Sequence, residues 1–558
     1  MYDIPGRASR TLSRRGLFAV TGAAATTLLV AGCGGTSGTT AGTTGADAMK
    51  KALPNHIPSE AVTPDIPGSP GANGAVSDPA FLKYPANPVR TVDGIPGAGG
   101  AYTTRTPLWG SIPPSSGNSY YEAVDKALGA TLKMQPSDGN NYVETLPALF
   151  ASDNLPDWLQ IPNWANAKLN LGSGLDRFTD LTPYLSSGNV DKYPNLANIP
   201  PAAWQSGVWE GKLYGLPCFA SAGALSGYLF YRKDILDAAG VSPDVGNADD
   251  MFALGKQLTD VDKGQWAFDD LWPSLKFPFG VVGSWFEDDS GKLVNQYETD
   301  GIVEALDFVT RIAKAGYVHP DALANNTAQG QQRFWSGKVV IQGGGVGVWD
   351  GIDTQGGTAA NPKYDRQAFK VFDGRGGKPA IELSPGASWF TYLNRKLSGD
   401  QVRECLAIAN YLAAPYGSRE YLLVNFGPED TDYAMTDGNP VLNDKGQQEV
   451  AITYQFLVSP PAVTLVKNGF TQTARDFAAW QAGAVKHAVK PLFYAMNIAE
   501  PPQYASLTQP MEDAMKDVRS GRKTIDDYSS AVETWRKQGG DQLRTFYEGI
   551  RDKYGTGQ

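Results

Sequence analysis

The first regular segments of the chain read YTTRTPLW (residues 102–109), YYEAVDKALG (120–129) and ATLKMQ (130–135). The outer two have the character of strands, whereas Val124, Ala127 and Leu128 of the middle segment share one helical face. A helix over residues 141–152 and a strand over 157–161 follow, which completes the order strand, helix, strand, helix, strand. This alternation predicts an α/β fold with a mostly parallel sheet.

The same kind of pattern restarts after Pro217, which predicts a second lobe. A strand over residues 228–231 is followed by a helix over 233–239 that ends at Gly240. Further helices are predicted over residues 249–258, 299–315 and 400–412, and a further strand over 339–341. The last 150 residues read as mostly helical with aromatic loops, so we expect a helix-rich C-terminal part.

Residues 14–33 read RRGLFAVTGAAATTLLVAGC and have the features of an export signal. Arg14 and Arg15 precede an apolar run that is short for a spanning helix, and they resemble a twin-arginine export motif. The run ends in Val-Ala-Gly-Cys33, which resembles a bacterial lipobox, so we expect Cys33 to be lipidated and to become the mature N-terminus. The alternative is an uncleaved membrane anchor.

The next segment, from Gly34 to about Gly100, is dominated by Gly, Thr, Ser, Pro and Ala. We expect residues 33–100 to form a flexible tether, which would reach on the order of 40 Å from the membrane. Residues 1–32 are then the signal peptide and regular structure begins near residue 101.

Composition limits the classes of function. The chain has 558 residues and a formal net charge of −10, which argues against nucleic acid or anionic lipid as the main partner. Its length supports two lobes with full cores. If Cys33 is acylated, only Cys218 and Cys405 remain, and we expect them to be inert buried thiols.

Signatures of enzymes and cofactors are missing from the sequence. There is no metalloprotease His pair, Cys-x-x-Cys or G-x-S-x-G, and the glycine run GGGVG at residues 343–347 fails the dinucleotide fingerprint. We expect no cofactor and no metal. The acidic pairs Asp269–Asp270 and Glu287–Asp288–Asp289 could serve a glycosidase, but residues 287–292 (EDDSGK) favour a hairpin turn.

The segment GKLYGLP at residues 211–217 resembles the signature of family 1 extracellular solute-binding proteins, the sugar receptors of ABC importers. Other segments follow in the order of that family, and several resemble its longer lipoprotein branch. They are FTDLTPYL (178–185), FYRKD (230–234), ALDF (305–308), GYVHPD (316–321), FWSGKV (334–339), FGPE (426–429) and YAMTDGNP (433–440). The resemblance covers about residues 101–550.

This resemblance implies a periplasmic-binding-protein-like fold of two lobes, each a mostly parallel sheet flanked by helices. We expect residues 101–220 with 355–415 to form the N-terminal lobe and residues 221–354 with 416–558 the C-terminal lobe, joined by crossings near 217–228, 350–365 and 413–418. It also implies an extracytoplasmic, monomeric lipoprotein that binds a carbohydrate, delivers it to ABC permease subunits and touches the membrane only through its lipid.

A sugar site needs aromatic faces and polar groups at strand ends between two lobes. Five tryptophans qualify by position: Trp109, Trp164, Trp285, Trp349 and Trp389. The resemblance favours Trp349, which follows the strand at 339–341, with Asp350 beside it as a hydroxyl acceptor. Tyr228 at the lobe crossing and Glu429 complete the candidate ligand-binding residues.

Two other functions remain open at this level. A secreted carbohydrate-active enzyme would place two carboxyl groups across the cleft about 5 Å or 6.5–9.5 Å apart. A structural or signalling lipoprotein would keep the fold without transport.

Overall fold

The computed structural model describes residues 43–558 except residues 153, 226 and 468, and only the backbone of Asp350 and Ile352. In this part of the chain two sheets contain nine strands. They are β1 (Ala101–Leu108), β2 (Thr131–Asp138), β3 (Trp158–Pro162), β4 (Gly215–Cys218), β5 (Gly227–Arg232), β6 (Trp266–Phe268), β7 (Val339–Gly345), β8 (Arg366–Ala368) and β9 (Trp389–Leu393). Arg14, Arg15 and Cys33 lie outside the described residues.

Both sheets are mixed, with one strand opposed to the others. The first has the order β2-β1-β3-β9-β4, in which β1 runs parallel to β2 and β3, and β9 runs antiparallel to β3 and β4. The second has the order β8-β5-β7-β6, in which β5 is antiparallel to β7 and β8. The α/β class is confirmed.

The α-helices of seven or more residues in the described chain flank these sheets or follow them. They are α1 (Ala46–Ala52), α2 (Ser119–Leu128), α3 (Tyr142–Ala151), α4 (Lys233–Ala239), α5 (Ala248–Leu258), α6 (Asp300–Lys314), α7 (Thr354–Ala360), α8 (Gly399–Leu412), α9 (Arg419–Phe426), α10 (Thr471–Ala484), α11 (Thr508–Arg519), α12 (Ile525–Trp535) and α13 (Asp541–Tyr554).

Helix α2 shows how local sequence sets these boundaries. The side chain of Asn118 accepts a hydrogen bond from the Tyr121 amide at the N-terminus. Gly129 ends the helix in the left-handed conformation with φ of 63°. Tyr120, Val124 and Leu128 recur every four residues and are buried against the first sheet.

The three largest hydrophobic cores of the described chain organise the fold. The first surrounds the β1–β4 and β9 sheet and includes residues of α2, α3 and α8. The second surrounds the β5–β8 sheet and includes Phe477 and Ala484 of α10. The third joins α6 to α11, α12 and α13, so the C-terminal part is helix-rich as predicted. We use "first lobe" and "second lobe" for the parts built on the first and second sheets.

The range predicted to be a flexible tether is packed onto the body from residue 43 onward. Ala52 and Ala80 have no exposed surface, Tyr84 is 3% exposed, and α1 lies within this range. Glu404 of α8 accepts hydrogen bonds from the amides of Ala98 and Gly100. Composition misled the prediction, because isolated apolar residues in a Pro- and Gly-rich segment can each fill a groove of the body.

Three segments connect the lobes side by side. Residues 219–225 lead from β4 towards β5, within the predicted range 217–228. The other two crossings lie in residues 382–388 and 459–467, so the predicted positions 350–365 and 413–418 are wrong. The amide of Ser221 donates to Gly386 at 2.8 Å, and that of Ala462 donates to Ala220 at 2.6 Å. These bonds make one compact hinge region.

The predicted lobe boundaries are wrong at two places. Strand β8 pairs with β5, so residues 366–368 belong to the second sheet and not to the N-terminal lobe. Val424 of α9 together with Tyr454 and Leu457 belongs to the first core and not to the C-terminal lobe.

Asp78 of the N-terminal segment braces this hinge region. Its Oδ1 accepts from the hydroxyl of Ser221 at 2.6 Å, and its Oδ2 accepts from Nε2 of Gln481 on α10 at 2.9 Å. The Asp78 amide donates to Oε1 of Gln481 at 2.9 Å. One carboxylate therefore links a hinge segment to a helix of the second lobe.

Among the described residues no helix has the length and apolarity needed to cross a membrane. Cys218 and Cys405 are free and buried, as expected, and burial raises the pKa of both thiols.

Candidate functional site

Five aromatic residues meet at one edge of the first sheet, and we call them the aromatic cluster: Trp109, Trp164, Phe219, Trp389 and Phe456. Trp109 follows the last residue of β1, Phe219 follows β4, and Trp164 lies two residues beyond β3. Because β9 runs the opposite way, its first residue, Trp389, reaches the same edge. The carboxyl ends of parallel strands are where open α/β sheets bind ligands.

Trp389 is the centre of the cluster. Its ring lies 4.5 Å from Trp164 and 5.8 Å from Trp109, both edge to face, and 5.3 Å from Phe456. Phe219 adds a further edge contact to Phe456 at 5.0 Å. Edge-to-face contacts of this kind stabilise rings in fixed orientations.

The outer rings remain open to solvent even though they are large and apolar. Trp164 is 58% exposed, Trp109 45% and Phe219 37%. A contiguous exposed apolar surface on a soluble protein marks a binding site. Its flat rings suit the apolar C–H faces of a sugar ring.

The backbone beneath the cluster is fixed by hydrogen bonds. The carbonyl oxygen of Phe456 accepts from Oγ1 of Thr391 at 3.0 Å and from Sγ of Cys218 at 3.4 Å. The indole of Trp109 lies over Gly139, where a Cβ atom would come within 2.3 Å of the ring. The cluster is thus held in place before any ligand arrives.

A cavity of about 410 Å³ adjoins the turn that carries Trp164. Asn163 and Asn166 of this turn line it from the first lobe, and Trp285, Glu382 and Tyr547 line it from the other side. Trp285 is 4% exposed and packs its ring 4.9 Å from Tyr547. Burial raises the pKa of Tyr547, whose hydroxyl donates to Glu500 at 2.6 Å, so this phenol stays neutral.

The structure contradicts the predicted position of Trp349. Its side chain is 1% exposed and lies among Phe230, Phe477 and Trp480 at ring distances of 5.6–6.1 Å. Residues 343–345 continue strand β7 instead of forming a flexible run, and the helical turns at 346–353 then carry the indole back into the second core. Trp349 is therefore a core residue.

Three other predicted residues lie apart from the aromatic cluster. Tyr228 has no exposed surface, and its hydroxyl accepts from the Phe372 amide at 3.1 Å, so it is a core residue and not a ligand contact. Glu429 is exposed in the turn before the hairpin Tyr433–Leu442. Asp350 lies in the helical turn Trp349–Asp353, and its side chain is outside the described part.

The acidic pairs have other partners. Asp269 pairs with Arg333 at 2.6 Å, and Asp270 pairs with Arg519 at 3.2 Å. Residues 285–287 and 293–295 form the predicted hairpin, in which Asp288 accepts from Ser290 and Lys292.

Sequence reasoning missed Phe219, Phe456, Asn163, Asn166 and Glu382. Phe219 directly follows β4, so the strand-end argument would have found it had it been applied to Phe as well as Trp. The other four come from turns or a two-residue strand whose positions depend on tertiary packing, and no local pattern marks them. Among the described residues no cluster of three or more His, Cys, Asp or Glu side chains has the arrangement of a metal site.

The chain is similar to curated proteins and solved structures. Lipoprotein LipO of Bacillus subtilis is 21% identical over 467 residues, which are 78% of this chain and 89% of LipO. The polygalacturonan/rhamnogalacturonan-binding protein YtcQ of the same species is 20% identical over 426 residues, 73% of this chain and 82% of YtcQ. The N-glycan transport solute-binding protein NgtS from Streptococcus pneumoniae has a TM-score of 0.56 at 16% identity, covering 82% of this chain and 99% of NgtS.

The fold likeness to NgtS agrees with the two-lobed architecture built on the two sheets. The family model of bacterial extracellular solute-binding proteins matches residues 119–425, more than half of the chain. The chain therefore belongs to the bacterial extracellular solute-binding protein family.

Proposed function

We propose that this protein is an extracytoplasmic receptor that binds an oligosaccharide between its two lobes and delivers it to an ABC importer. The observation that carries the proposal is the aromatic cluster, a set of fixed and partly exposed rings at the ligand-binding edge of the first sheet. The carbohydrate named for YtcQ and the glycan named for NgtS support the same class of ligand.

The cavity beside the cluster supplies the polar part of such a site. Sugar hydroxyls need acceptors and donors because buried polar groups must be paired. Asn163, Asn166 and Glu382 line this cavity, and the two asparagines flank Trp164 along the chain. Stacking on Trp164 and Trp389 would then bury the apolar face of one sugar unit, while the amides bind its hydroxyls.

A glycan-array screen followed by titration calorimetry tests this proposal. We expect at least one oligosaccharide to bind, and the double variant Trp109→Ala/Trp164→Ala to lose that binding while it still melts cooperatively. The matched control is Trp266→Ala, a half-buried tryptophan of the second lobe that packs on His319. Retained affinity in the cluster variant would contradict the proposal.

Delivery by a receptor of this kind includes closure of the lobes about the hinge region. Small-angle scattering should give a smaller radius of gyration at saturating ligand. An unchanged radius would argue for a rigid binding protein. Growth on the bound sugar, compared between strains with and without this receptor, tests delivery to an importer.

The proposed anchor is a lipid on Cys33, preceded by a signal peptide of residues 1–32. The family is extracellular, and the relative LipO is a lipoprotein. Metabolic labelling with a fatty acid should mark the wild-type chain and leave Cys33→Ser unlabelled. Equal label in both would contradict lipidation at this residue. Replacing Arg14 and Arg15 by Lys should block export if the twin-arginine route is used, and normal export would show that it is not.

A further inference from the structure

The cavity beside the turn that carries Trp164 is lined by two asparagines whose side-chain oxygens have no donor. Oδ1 of Asn163 and Oδ1 of Asn166 are buried, and neither has a hydrogen-bond partner among the described residues. Both residues line the cavity from the turn that follows β3. A buried acceptor left unpaired is costly, so either amide would gain a hydrogen bond by turning its oxygen toward a hydroxyl donor in the cavity.

Glu382 adds a negative charge to the same cavity. It lies in a two-residue strand, Ile381–Glu382, that pairs with Ala488–Val489, so its backbone is held in place. Its Oε2 accepts from the Gly283 amide at 2.9 Å. An ionised carboxylate has about four acceptor positions, and this bond uses one of them. The remaining positions suit further hydroxyl donors.

Glu382 is the one charged side chain among the described residues that line the cavity. The other lining side chains include Ser206, Asn497 and aromatic rings. A carboxylate brought close to another in a partly buried site repels it, because nearby like charges disfavour the ionised state of both.

We infer that this site selects neutral oligosaccharides and rejects oligosaccharides of uronic acids, with Glu382 as the specificity-determining residue. This inference rests on the proposed carbohydrate-binding function and goes further by fixing the charge class of the ligand. It separates the chain from its relative YtcQ, whose name states binding of polygalacturonan, a polymer of acidic sugars.

Matched pairs of tetrasaccharides test the inference by titration calorimetry. The pairs are a neutral mannan, galactan or glucan fragment and the corresponding mannuronate, galacturonate or glucuronate fragment. We expect one neutral member to bind at least tenfold more tightly than its uronate partner. Glu382→Gln should reduce the ratio of the uronate to the neutral dissociation constant at least tenfold. Gln retains an oxygen for the Gly283 amide and removes the charge. Glu533→Gln, on the exposed face of α12, is the charge-matched control and should leave the ratio unchanged.

The outcomes separate this inference from the function beneath it. A uronate that binds as tightly as its neutral partner, or a ratio unaffected by Glu382→Gln, would overturn the inference and leave carbohydrate binding intact. Binding of no member of any pair, and of no sugar on the array, would overturn both. Added salt should raise uronate affinity in the wild type by screening the repulsion and should have little effect in Glu382→Gln.

Discussion

Trp389 meets Trp164 edge to face, with ring centroids 4.5 Å apart and an interplanar angle of 84°. The first opens strand β9 and the second follows strand β3, and the pairing of these antiparallel strands sets their rings side by side. Trp389 is the more buried of the two and acts as the support on which the exposed ring of Trp164 is fixed.

Trp164→Ala should weaken carbohydrate binding with little effect on stability. The indole is 58% exposed, so few buried contacts are lost when it is removed. Loss of an aromatic anchor typically costs about 2 kcal/mol, a factor of roughly 30 in the dissociation constant. Titration calorimetry and thermal melting of the unliganded variant measure the two effects. A large drop in melting temperature with affinity preserved would remove Trp164 from the site.

Trp349→Ala should give the opposite result. This indole is 1% exposed in the second core, and truncation of such a side chain costs about 3–5 kcal/mol of unfolding free energy. Chemical denaturation should show this loss, while the dissociation constant of the folded variant stays within about threefold of wild type. A stable variant with lost affinity would return Trp349 to the cleft.

Gly139→Ala should disturb the site through Trp109. The added Cβ would lie 2.3 Å from the indole, so the ring must move. We expect an affinity loss on the order of 1 kcal/mol, since the ring is displaced and not removed. The control is Gly347→Ala, where an added Cβ meets no atom within 4 Å. Equal affinities for both variants would show that Trp109 does not contact the ligand.

Asp125 on α2 predicts a pH dependence of stability. Burial raises its pKa to about 6, above the value in an unfolded chain, although the Leu132 amide donates to its Oδ1. The folded state therefore binds this proton more readily, and the contribution of Asp125 to stability falls as pH rises from about 4 to 6. Asp125→Asn should be more stable than wild type above pH 6.

Urea denaturation at pH 4.5 and pH 7.5 measures this difference. The gain at the higher pH should be on the order of 1 kcal/mol, because Asp125 is only about half buried and solvent screens the penalty. The side-chain amide introduced by Asp125→Asn keeps an acceptor for the Leu132 amide. A gain that is the same at both pH values would mean that charge is not its cause.

The hinge brace predicts energetic coupling between Asp78 and Gln481. Three hydrogen bonds link Asp78 to Ser221 and Gln481. The losses of unfolding free energy caused by Asp78→Ala and by Gln481→Ala should therefore not be additive. A double-mutant cycle by chemical denaturation should give a coupling energy of about 1–2 kcal/mol. The control cycle combines Asp65→Ala with Gln481→Ala. The carboxylate of Asp65 accepts from the Leu82 amide within the N-terminal segment. Additive effects for Asp78 and Gln481 would contradict the brace.

Local pattern was enough to predict most elements near the site. The helix predicted over 233–239 agrees with α4 at both ends, and the strand predicted over 157–161 differs from β3 by one residue. The strand-end argument assigned Trp109, Trp164 and Trp389 to sheet edges, because it depends only on strand order and direction.

The strand-end argument failed where the course of the chain after a strand decides the position of a side chain. Trp349 follows β7, but the helical turns after Gly345 return it to the core, and no periodicity in GGGVG signals this. The prediction of a flexible tether in the N-terminal segment was wrong for a related reason. Its buried residues, such as Ala52 and Tyr84, are spaced by the grooves they fill and not by a helix or strand period.

The order of strands in the first sheet also governs how the chain is assembled. Strand β9 lies between β3 and β4, and it is separated from β4 along the chain by all four strands of the second sheet. In the described structure β4 pairs with no strand other than β9. During synthesis, the second sheet therefore has all its strands before β9 emerges, although the first sheet begins earlier. The sheet that carries the aromatic cluster is therefore completed after the other one, and Trp389 is the first residue of its last strand to be synthesised.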